Sequence, residues 1–544
     1  MLNCTFVNSL PPIRFRSVGE PATQISWWKI LFAVAVMSAT LLSGLGVLGL
    51  MGPDEPRYAA IAREMLRTGD WVTPRLYGHS WFEKPVLYYW AAGSAFRLFG
   101  VSEFAARLPN ALAAFFATLL AVWAALRAFG TESAWLAAVM LPATIAMPVF
   151  GHAATTDMLF SALLMAAAVA AAEMLAKARP GRFASVAFGA FLGAAVLAKG
   201  PAALLLAGGA VLLWALASGQ WRPALRFLNF PSVAVFCLVA LPWYALAAAR
   251  NPAFLRVFIW QQNFERYLTP VFQHRQPFWF FGVVLLGMVM PWTVLLVPLI
   301  ADGWRALSNG TLRDSPGLFY ASWVIFPVLF FSFSASKLPA YVLPSVPPLV
   351  LLLAANTAQR LAVKGRAYRL WAVLATCTLV GAALAANHWV HRQTISPGIE
   401  EMSGVKVLFL LALGGGVLCA ALAITRNARA GIAAMAALVA VLVVAAILLV
   451  LPAVDPLLSP RSLAAAVPEQ MRKSPDLYDY YAGSPWIYGL EFYLDRELVP
   501  WSPGAKFPLW EWTTASIAAG YLRENPQCSV IARPVAGPWL LRLE

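Results

Sequence analysis

The sequence predicts an all-α polytopic membrane protein with a small C-terminal α/β domain. Of its 544 residues, 60% are hydrophobic and 12% are charged, whereas soluble domains average roughly 45–50% apolar and about 25% charged residues. Apolar runs recur up to residue 451, and charges, prolines and aromatic residues return after it. These observations predict a transmembrane domain over residues 1–451 and a separate domain over residues 452–544.

About 13 transmembrane helices are predicted, because a bilayer core about 30 Å thick needs roughly 20 apolar residues per helix. Lysine and arginine dominate alternate loops, which the positive-inside rule assigns to the cytoplasm. The other loops, including residues 51–85, and the C-terminal domain are then expected outside. The sequence does not predict nucleic-acid binding, because it lacks a soluble module with a basic stripe and stacking aromatic residues.

Residues 51–85 are expected to carry one or more interfacial helices in the first outer loop. Pro56 fits the first turn of a helix, and Gly69 fits its end. Apolar residues recur on one face between them, as is typical of a helix lying in the membrane interface. Acidic and basic side chains are crowded into this loop, although charge is scarce elsewhere in the chain.

Two charged pairs bracket the helix of this loop. Asp54 and Glu55 fit either a carboxylate that deprotonates or orients a nucleophile or an N-cap, which is worth about 1 kcal/mol and which local sequence favours. Glu83 and Lys84 precede Pro85, which prevents a helix from continuing through them. Lys84 fits a lipid phosphate and Glu83 a divalent cation. A snorkelling lysine paired with its neighbour is the alternative.

Two ionisable residues interrupt apolar runs further along the chain. Asp157 lies in GHAATTDMLF and Lys199 in VLAKGPAALLL. Charges in such segments cost roughly 2.5–3.5 kcal/mol on insertion scales and mark functional sites by default. The alternatives are a helix cap for Asp157 and contact with headgroup water for Lys199.

Two later motifs place further candidates at the predicted outer surface. Arg266 in NFERYL fits a bidentate contact with a phosphate, whereas His274 fits a surface group better than a metal ligand. Lys337 and Tyr341 in SKLPAYVLP lie one helical turn apart and could face one pocket. An interfacial lysine with a belt tyrosine is the alternative.

All these candidates are expected on one side of the membrane, which favours a single outer cavity rich in cations. A lipid flippase or transporter would instead show related repeats with broken helices and charges near the membrane centre. Pure scaffolding would leave the one-sided cluster of charges unexplained.

The chain resembles the aminoarabinose lipid A transferases in DEPRYAAIAREMLRTGDWVTPRLYGHSWFEKP, AKGPAALL, NFERYL, QHRQPFWF and SKLPAYVLPSVPPL. These are membrane glycosyltransferases of GT-C type, related to protein O-mannosyltransferases. The resemblance implies transfer of 4-amino-4-deoxy-L-arabinose from an undecaprenyl-phosphate-linked aminosugar donor to the phosphates of lipid A. It also implies a multi-pass protein of the bacterial inner membrane, with its active site and C-terminal domain facing the periplasm, and polymyxin resistance as the outcome.

The resemblance also implies roles for individual residues. Asp54 is expected as the principal catalytic carboxylate and Asp157 as a second acidic site residue. Glu83 is the candidate ligand of a divalent metal ion, and no other cofactor is implied. Asn263 stands where some relatives are expected to carry histidine. The expected lipid-phosphate and donor-binding residues are Arg57, Lys84, Lys199, Arg266, Lys337 and Tyr341.

The acceptor remains open between two chemistries. A hydroxyl acceptor on protein Ser or Thr, or on another glycan, needs a base. A lipid A phosphate is already anionic and needs positioning and charge compensation instead. With lipid A as acceptor, Asp54 is expected to orient the phosphate or stabilise the transition state of one inverting displacement.

Overall fold

The computed structural model of this protein is dominated by helices that pack around a large alanine-rich core, with a second core around α2 and α3 and a small third one near the C-terminus. It describes residues 26–176, 181–269, 275–313, 315–363, 368–392, 403–467, 469–472, 477–480, 484–500, 509–513, 518, 522, 529–532 and 539–543.

The α-helices in chain order are α1 (Trp27–Leu41), α2 (Asp54–Thr68), α3 (Leu87–Phe99), α4 (Glu103–Phe129), α5 (Thr131–Met140), α6 (Ala146–Gly151), α7 (Asp157–Leu175), α8 (Arg182–Lys199), α9 (Ala202–Ser218), α10 (Trp221–Leu225), α11 (Phe230–Arg250), α12 (Arg266–Leu268), α13 (Phe280–Met288), α14 (Leu296–Ser308), α15 (Pro316–Ser332), α16 (Val346–Val363), α17 (Tyr368–Arg392), α18 (Ser403–Thr425), α19 (Ala428–Leu449), α20 (Leu451–Leu458), α21 (Arg461–Ala466), α22 (Glu469–Arg472) and α23 (Ser484–Leu494). Shorter 3₁₀ helices cover Arg226–Leu228, Trp292–Leu295 and Pro339–Ser345, and a π-helix covers Arg256–Glu265.

Eight helices in the described ranges are long and apolar enough to cross a membrane. They are α4, α7, α8, α11, Pro339–Val363, the Tyr368–Ala386 part of α17, α18 and α19. The pair Phe280–Met288 and Trp292–Ser308, bent by 112°, would make a ninth, and α1, α9 and α15 are shorter apolar helices. The chain is therefore a multi-pass membrane protein, and the count of about 13 spans stays a prediction.

Small residues bring the helices into close contact, as is usual inside membranes. Gly189 and Gly193 of α8 face α11 so closely that an added Cβ at Gly189 would lie 2.2 Å from the Ser232 carbonyl oxygen. Ala114, Ala117 and other alanines of α4 lie in the shared core. Glycine and alanine thus set the spacing of the bundle that holds α2 and the first loop.

Helix α2 differs in part from its prediction. Its C-cap is Gly69 in the left-handed conformation, at φ 72°, as expected. Its N-cap is Pro53 with no side-chain capping bond, so the predicted cap by Asp54 or Glu55 is wrong. The helix packs against α3 and α23, and both apolar and acidic residues of it are buried. It is enclosed by protein on most sides rather than lying open on a membrane surface.

Strands appear in two places. In the first loop β1 (Arg75–Leu76) pairs with β2 (His79–Ser80) in antiparallel fashion. Near the C-terminus five strands form a mixed sheet in the order β4-β3-β5-β7-β6, with β3 Leu477–Tyr480, β4 Val499–Pro500, β5 Leu509–Thr513, β6 Ser529–Ala532 and β7 Trp539–Leu543. The runs CSVIARP and PWLLRLE supply β6 and β7, so their strand assignment is confirmed.

Candidate functional site

The first turn of α2 is anchored by a buried ion pair between Glu55 and Arg107 of α4. The Arg107 Nε and Nη2 atoms donate to the Glu55 Oε1 and Oε2 atoms at 3.0 and 2.8 Å. Both side chains are buried, with 7% of Glu55 and 3% of Arg107 exposed. A bidentate pair of this kind fixes orientation as well as charge.

Backbone groups saturate the rest of this pair. Glu55 accepts from the amides of Met51 and Ala154 at 2.8 and 2.7 Å. Arg107 also donates to the carbonyls of Leu45 and Gly49 at 3.0 and 2.8 Å and to that of Leu48. The pair therefore joins the segment between α1 and α2, helix α2 itself, α4 and the segment before α7. We call Glu55 and Arg107 the buried clamp.

Asp54, one residue earlier, belongs to an open network. Its Oδ1 atom lies 2.5 Å from Arg57 Nη2, and the same nitrogen lies 2.8 Å from Glu83 Oε2. Lys84 Nζ contacts Glu83 Oε1 at 3.2 Å. The bend at Glu83 and Lys84 predicted from Pro85 is confirmed, since α3 begins only at Leu87. Acid and base alternate along this network, so each carboxylate faces a cation.

The environment of Asp54 raises its pKa. Burial is the main cause, although 49% of the side chain is exposed; the surrounding protein walls still displace much of the water around the carboxyl group. Arg57 lowers the pKa of Asp54 and Glu83 raises it further. Lys84 also lowers this pKa and Asp157 also raises it, each by a smaller amount. The carboxyl group of Asp54 therefore sits among all the charged groups of this network.

Asp157 and Lys199 form the second pair of the site. Asp157 opens α7 and Lys199 closes α8, and the Lys199 Nζ atom donates to Asp157 Oδ1. The ammonium group also lies 5.4 Å from the Phe160 ring and 5.3 Å from the Tyr341 ring. Lys199 has no acidic neighbour in sequence, and the fold supplies one across 42 positions. Gly200, at φ 85°, ends α8 directly after it.

One cavity of about 400 Å³ is lined by some of these groups, whereas Asp54, Arg57 and Asp157 are not among its lining residues. Its polar wall includes Glu83, Lys84 and Lys199, and Tyr341 lies on the same wall. Apolar side chains form most of the remainder, namely Phe160, Leu205, Phe258, Phe264, Leu268, Phe330 and Phe331. The cavity thus places two ammonium groups beside an apolar surface, which suits a lipid with an anionic head group.

The remaining residues predicted from the sequence are Lys337, Arg266 and His274. Lys337 is buried, and its Nζ atom donates to the Ser334 carbonyl at 2.6 Å; Ser334 lines the cavity and Lys337 lies behind it. Arg266 begins α12 next to the cavity residue Tyr267, and its side chain lies outside the described part. His274 also lies outside the described residues.

The surroundings of Glu83 do not fit a divalent metal ion. Its two oxygens face Arg57 and Lys84, so its negative charge is already balanced by cations that would repel a metal. Within the described ranges, histidine, cysteine and acidic side chains form no group of three or more that could hold a metal ion. No step of the chemistry below is therefore assigned to a metal.

Several residues at the site were missed by sequence reasoning. Arg107 gives a detectable signal, since an arginine inside an apolar helix is functional or paired by default. Gln262 and Tyr267 line the cavity; the Gln262 Oε1 atom is buried without a partner in the described structure. Both belong to the π-helix or the turn after it, and π-helical turns are frequent at functional sites. Tyr488 of α23, whose ring lies 5.2 Å from the Arg57 guanidinium carbon, carries no local signal in the sequence.

Comparisons with known proteins agree with this architecture. The family model for dolichyl-phosphate-mannose-protein mannosyltransferase matches residues 26–258. A crystal structure of ArnT from Cupriavidus metallidurans bound to undecaprenyl phosphate is similar over 95% of this chain and 98% of that chain, with TM-score 0.80 and 24% identity. At this identity the match shows the fold alone, and it confirms the predicted GT-C-type membrane bundle.

Curated relatives are closer in sequence. An undecaprenyl phosphate-α-4-amino-4-deoxy-L-arabinose arabinosyl transferase from Edwardsiella ictaluri is 33% identical over 59% of this chain and 58% of its own length. For the protein of that name from Serratia proteamaculans the figures are 34%, 60% and 59%. The matches thus span little more than half of those two relatives.

A longer match decides the family. The protein named arabinosyl transferase 2 of the same kind from Pseudomonas fluorescens is 30% identical over 415 residues, which are 75% of this chain and 69% of that protein. Its match extends well beyond the loop residues that carry the resemblance, so the similarity is not confined to one motif. The chain belongs to the family of undecaprenyl phosphate-α-4-amino-4-deoxy-L-arabinose arabinosyl transferases.

Proposed function

We propose that this protein transfers 4-amino-4-deoxy-L-arabinose from undecaprenyl phosphate to a phosphate group of lipid A. The observation that carries the proposal is a cavity in which Lys84 and Lys199 stand beside the Glu83 carboxylate and a large apolar wall. The names of the curated relatives give the donor and the sugar. Membership of their family brings both to this chain as the proposed substrates.

The cavity suits the head of the donor. Lys84 and Lys199 can each give a charge-assisted hydrogen bond to the carrier phosphate, and such bonds are about twice as strong as neutral ones. The phenylalanine-rich wall can take the first isoprene units, because burying apolar surface is favourable by about 25 cal/mol per Å². Arg266, at the start of α12, is a further candidate ligand of the same phosphate.

The reaction is a single displacement at the anomeric carbon of the sugar. An oxygen of the lipid A phosphate forms the new bond, and the bond from that carbon to the undecaprenyl phosphate oxygen breaks. The electron pair of the broken bond stays on the carrier phosphate, where Lys84 and Lys199 compensate the added charge. Attack from the face opposite the leaving group inverts the anomeric configuration.

Asp54 would act on the acceptor side. Its carboxylate is half exposed and is held by Arg57, so it can orient the incoming group or stabilise the positive charge that develops on the sugar. Asp157 pairs with Lys199 and would aim that lysine at the leaving phosphate. Tyr341 would limit where Lys199 can move. Lys337 would support the wall through Ser334.

The proposed setting is the bacterial inner membrane, with the cavity and the C-terminal sheet on the periplasmic side. The positive-inside distribution of lysine and arginine supports this orientation. Residues 1–451 would form the transferase domain and residues 452–544 a small α/β domain. Adding an aminosugar would mask a negative phosphate of lipid A and weaken its attraction for polymyxin and other cationic peptides.

A second acceptor class is supported by one observation, the match of residues 26–258 to the protein mannosyltransferase model. A protein hydroxyl would need Asp54 as a base, whereas a phosphate would not. Purified protein incubated with the undecaprenyl-linked aminosugar and either lipid A or a Ser/Thr peptide decides between them by mass spectrometry. Modified lipid A supports the proposal; modified peptide with unmodified lipid A overturns it.

A further inference from the structure

Helix α23 of the C-terminal segment reaches the network around Asp54. The ring of Tyr488 lies 5.2 Å from the guanidinium carbon of Arg57. The rings of Tyr58 and Trp81 each lie 5.4 Å from the same carbon. Arg57 is therefore held by contacts with two carboxylates and with three aromatic rings.

The contact is not incidental, because α23 is fastened to α2 further along the helix. Arg63 Nη1 donates to the Phe492 carbonyl at 2.8 Å, and Arg63 Nη2 lies 3.0 Å from Asp495 Oδ1. The Arg63 guanidinium also lies 4.6 Å from the Phe492 ring. Since Arg57 and Arg63 lie on the same helix, this attachment sets where Tyr488 meets Arg57.

A second set of hydrogen bonds connects the C-terminal segment to the loop that precedes Asp54. The Tyr493 hydroxyl accepts from the Leu50 amide at 2.8 Å and donates to Glu103 Oε1 at 2.9 Å. Asp455 Oδ1 accepts from the Gly49 amide at 2.7 Å. The loop before α2 is thus held from the C-terminal side as well as by Arg107.

Arg57 needs such support because its own hydrogen bonds are incomplete. Its Nη2 atom serves both Asp54 and Glu83, while its Nε atom is buried and without a partner in the part of the chain described. An arginine gripped through one nitrogen can rotate about that contact. An aromatic ring packed against the guanidinium group restricts this rotation.

We propose that Tyr488 is a positioning residue for the transfer reaction, which holds Arg57 between Asp54 and Glu83. The C-terminal segment thereby completes the site instead of standing apart from it. This inference rests on the transfer function proposed above for the protein. Tyr488 contacts Arg57 and is not among the residues that line the cavity, so it would act through Arg57.

The activity test compares Tyr488→Leu, Tyr488→Phe and the neighbouring control Ile487→Val in transfer assays with the donor and lipid A. Loss of a desolvated cation–π contact predicts about a tenfold lower kcat for Tyr488→Leu, with little change in the KM for the donor. Tyr488→Phe keeps the ring and should retain most of the activity, and Ile487→Val should match the wild type.

A pH profile separates positioning from simple loss of folded protein. The charged groups facing Asp54 are Arg57, Glu83, Lys84 and Asp157, and Arg57 lowers the pKa of Asp54. When Arg57 is released, that pKa rises, and the acid limb of the rate profile moves to higher pH in Tyr488→Leu. A merely unstable variant would lose rate at every pH without moving the limb.

A labelling test stands independently of the transfer reaction. Phenylglyoxal modifies accessible arginines, and peptide mass spectrometry reports each site. Arg57, whose side chain is 11% exposed, should label faster in Tyr488→Leu than in the wild type or Tyr488→Phe. Arg107 is the internal reference, since the buried clamp should stay unlabelled in every folded variant.

The outcomes are distinct. If wild-type protein modifies no lipid A, the proposed function is wrong, and the labelling of Arg57 still decides whether Tyr488 positions it. Unchanged labelling of Arg57 in Tyr488→Leu overturns the inference. So does an equal loss of activity in Tyr488→Leu and Tyr488→Phe, because the hydroxyl group and not the ring would then account for the loss.

Discussion

Two charged regions meet at the first turn of α2 and differ in nearly every respect. In the buried clamp, Glu55 and Arg107 satisfy each other and a set of backbone groups, and hardly any of their surface is exposed. In the neighbouring network, Asp54 is half exposed and shares one arginine nitrogen with Glu83. The two adjacent carboxylates therefore differ: Glu55 holds the fold together, and Asp54 is the one that we propose for the reaction.

The difference shows what makes a charged group useful to a reaction. A fully satisfied pair has no capacity left for a ligand, and breaking it leaves an uncompensated buried charge. The cavity lysines keep unused donors, since an ammonium group carries three. Variants that remove a member of one region therefore test whether the two regions are as separate as their geometry indicates.

The largest effect is expected from Arg107→Ala. The variant leaves Glu55 buried without its partner, which typically costs about 3–5 kcal/mol. Thermal unfolding in detergent should show a much lower midpoint and a poor yield of folded protein. The matched control on the same helix is Arg127→Ala, which removes a partly exposed pair with Glu173 worth about 0–1 kcal/mol. Equal midpoints for the two variants would contradict the assignment of the clamp.

Asp54→Asn should give the opposite result, a stable protein with very little activity. Losing a catalytic carboxylate costs roughly 10²–10⁴-fold in rate, while the half-exposed side chain contributes little to folding. Transfer to lipid A and the melting midpoint are the two measurements. Asp70→Asn is the control in the same loop, because Asp70 pairs with Arg75 and Arg250 away from the cavity. Retained turnover in Asp54→Asn would show that its carboxylate is dispensable.

The network around Asp54 was predicted from the sequence better than the buried clamp was. The bend at Glu83 and Lys84 was predictable because Pro85 acts locally, and so was the end of α2 at Gly69. Which of two adjacent carboxylates is buried was not, since successive helix positions point about 100° apart and the partner Arg107 lies 52 residues away. The predicted cap was wrong for the same reason: Glu55 is committed to that distant arginine.

The network of cations was predicted as a group but not as pairs. An isolated charge in an apolar run signals a site without naming its partner, as with Lys199 and Asp157, which the fold joins across 42 residues. Lys337 shows the limit of this reasoning, because its spacing to Tyr341 suggested a shared pocket and the structure places it behind Ser334. Tyr488 follows the first loop by hundreds of residues, so only tertiary structure reveals its contact with Arg57.

Removing the cavity lysines should weaken carrier binding without unfolding the protein. Hydrogen bonds to charged groups are worth about 1.5–3 kcal/mol, so Lys84→Ala or Lys199→Ala should lower the affinity for undecaprenyl phosphate roughly 10- to 100-fold. Native mass spectrometry or a fluorescence titration measures this affinity. Lys29→Ala is the control, since Lys29 pairs with Glu132 away from the cavity residues. Comparable losses at Lys29 would mean that general membrane charge, not the cavity, binds the lipid.

The pH dependence of the transfer rate tests whether the charges around Asp54 shift its pKa and whether Asp54 controls the rate. Its pKa is raised, mainly by burial and also by Glu83, so acidification should protonate it and reduce the rate at a higher pH than for a free aspartate. Glu83→Gln removes the negative neighbour, and the acid limb of its remaining activity should move to lower pH. Initial rates across the pH range measure both profiles. An acid limb that stays in place would show that Asp54 does not control it.

The smallest effect is expected from Lys337→Met, which tests the boundary between structural and functional charge. The Nζ atom of Lys337 is buried and donates to the Ser334 carbonyl, so the variant should lose about 1 kcal/mol of stability, as for one internal hydrogen bond. Undecaprenyl phosphate should bind with only a few-fold lower affinity than to the wild type, and far better than to Lys84→Ala. A loss as large as that of Lys84→Ala would mean that Lys337 reaches the carrier phosphate itself. Ser334 would then be a flexible cover rather than a fixed part of the wall, because a lysine behind it can contact the lipid only if that segment moves aside.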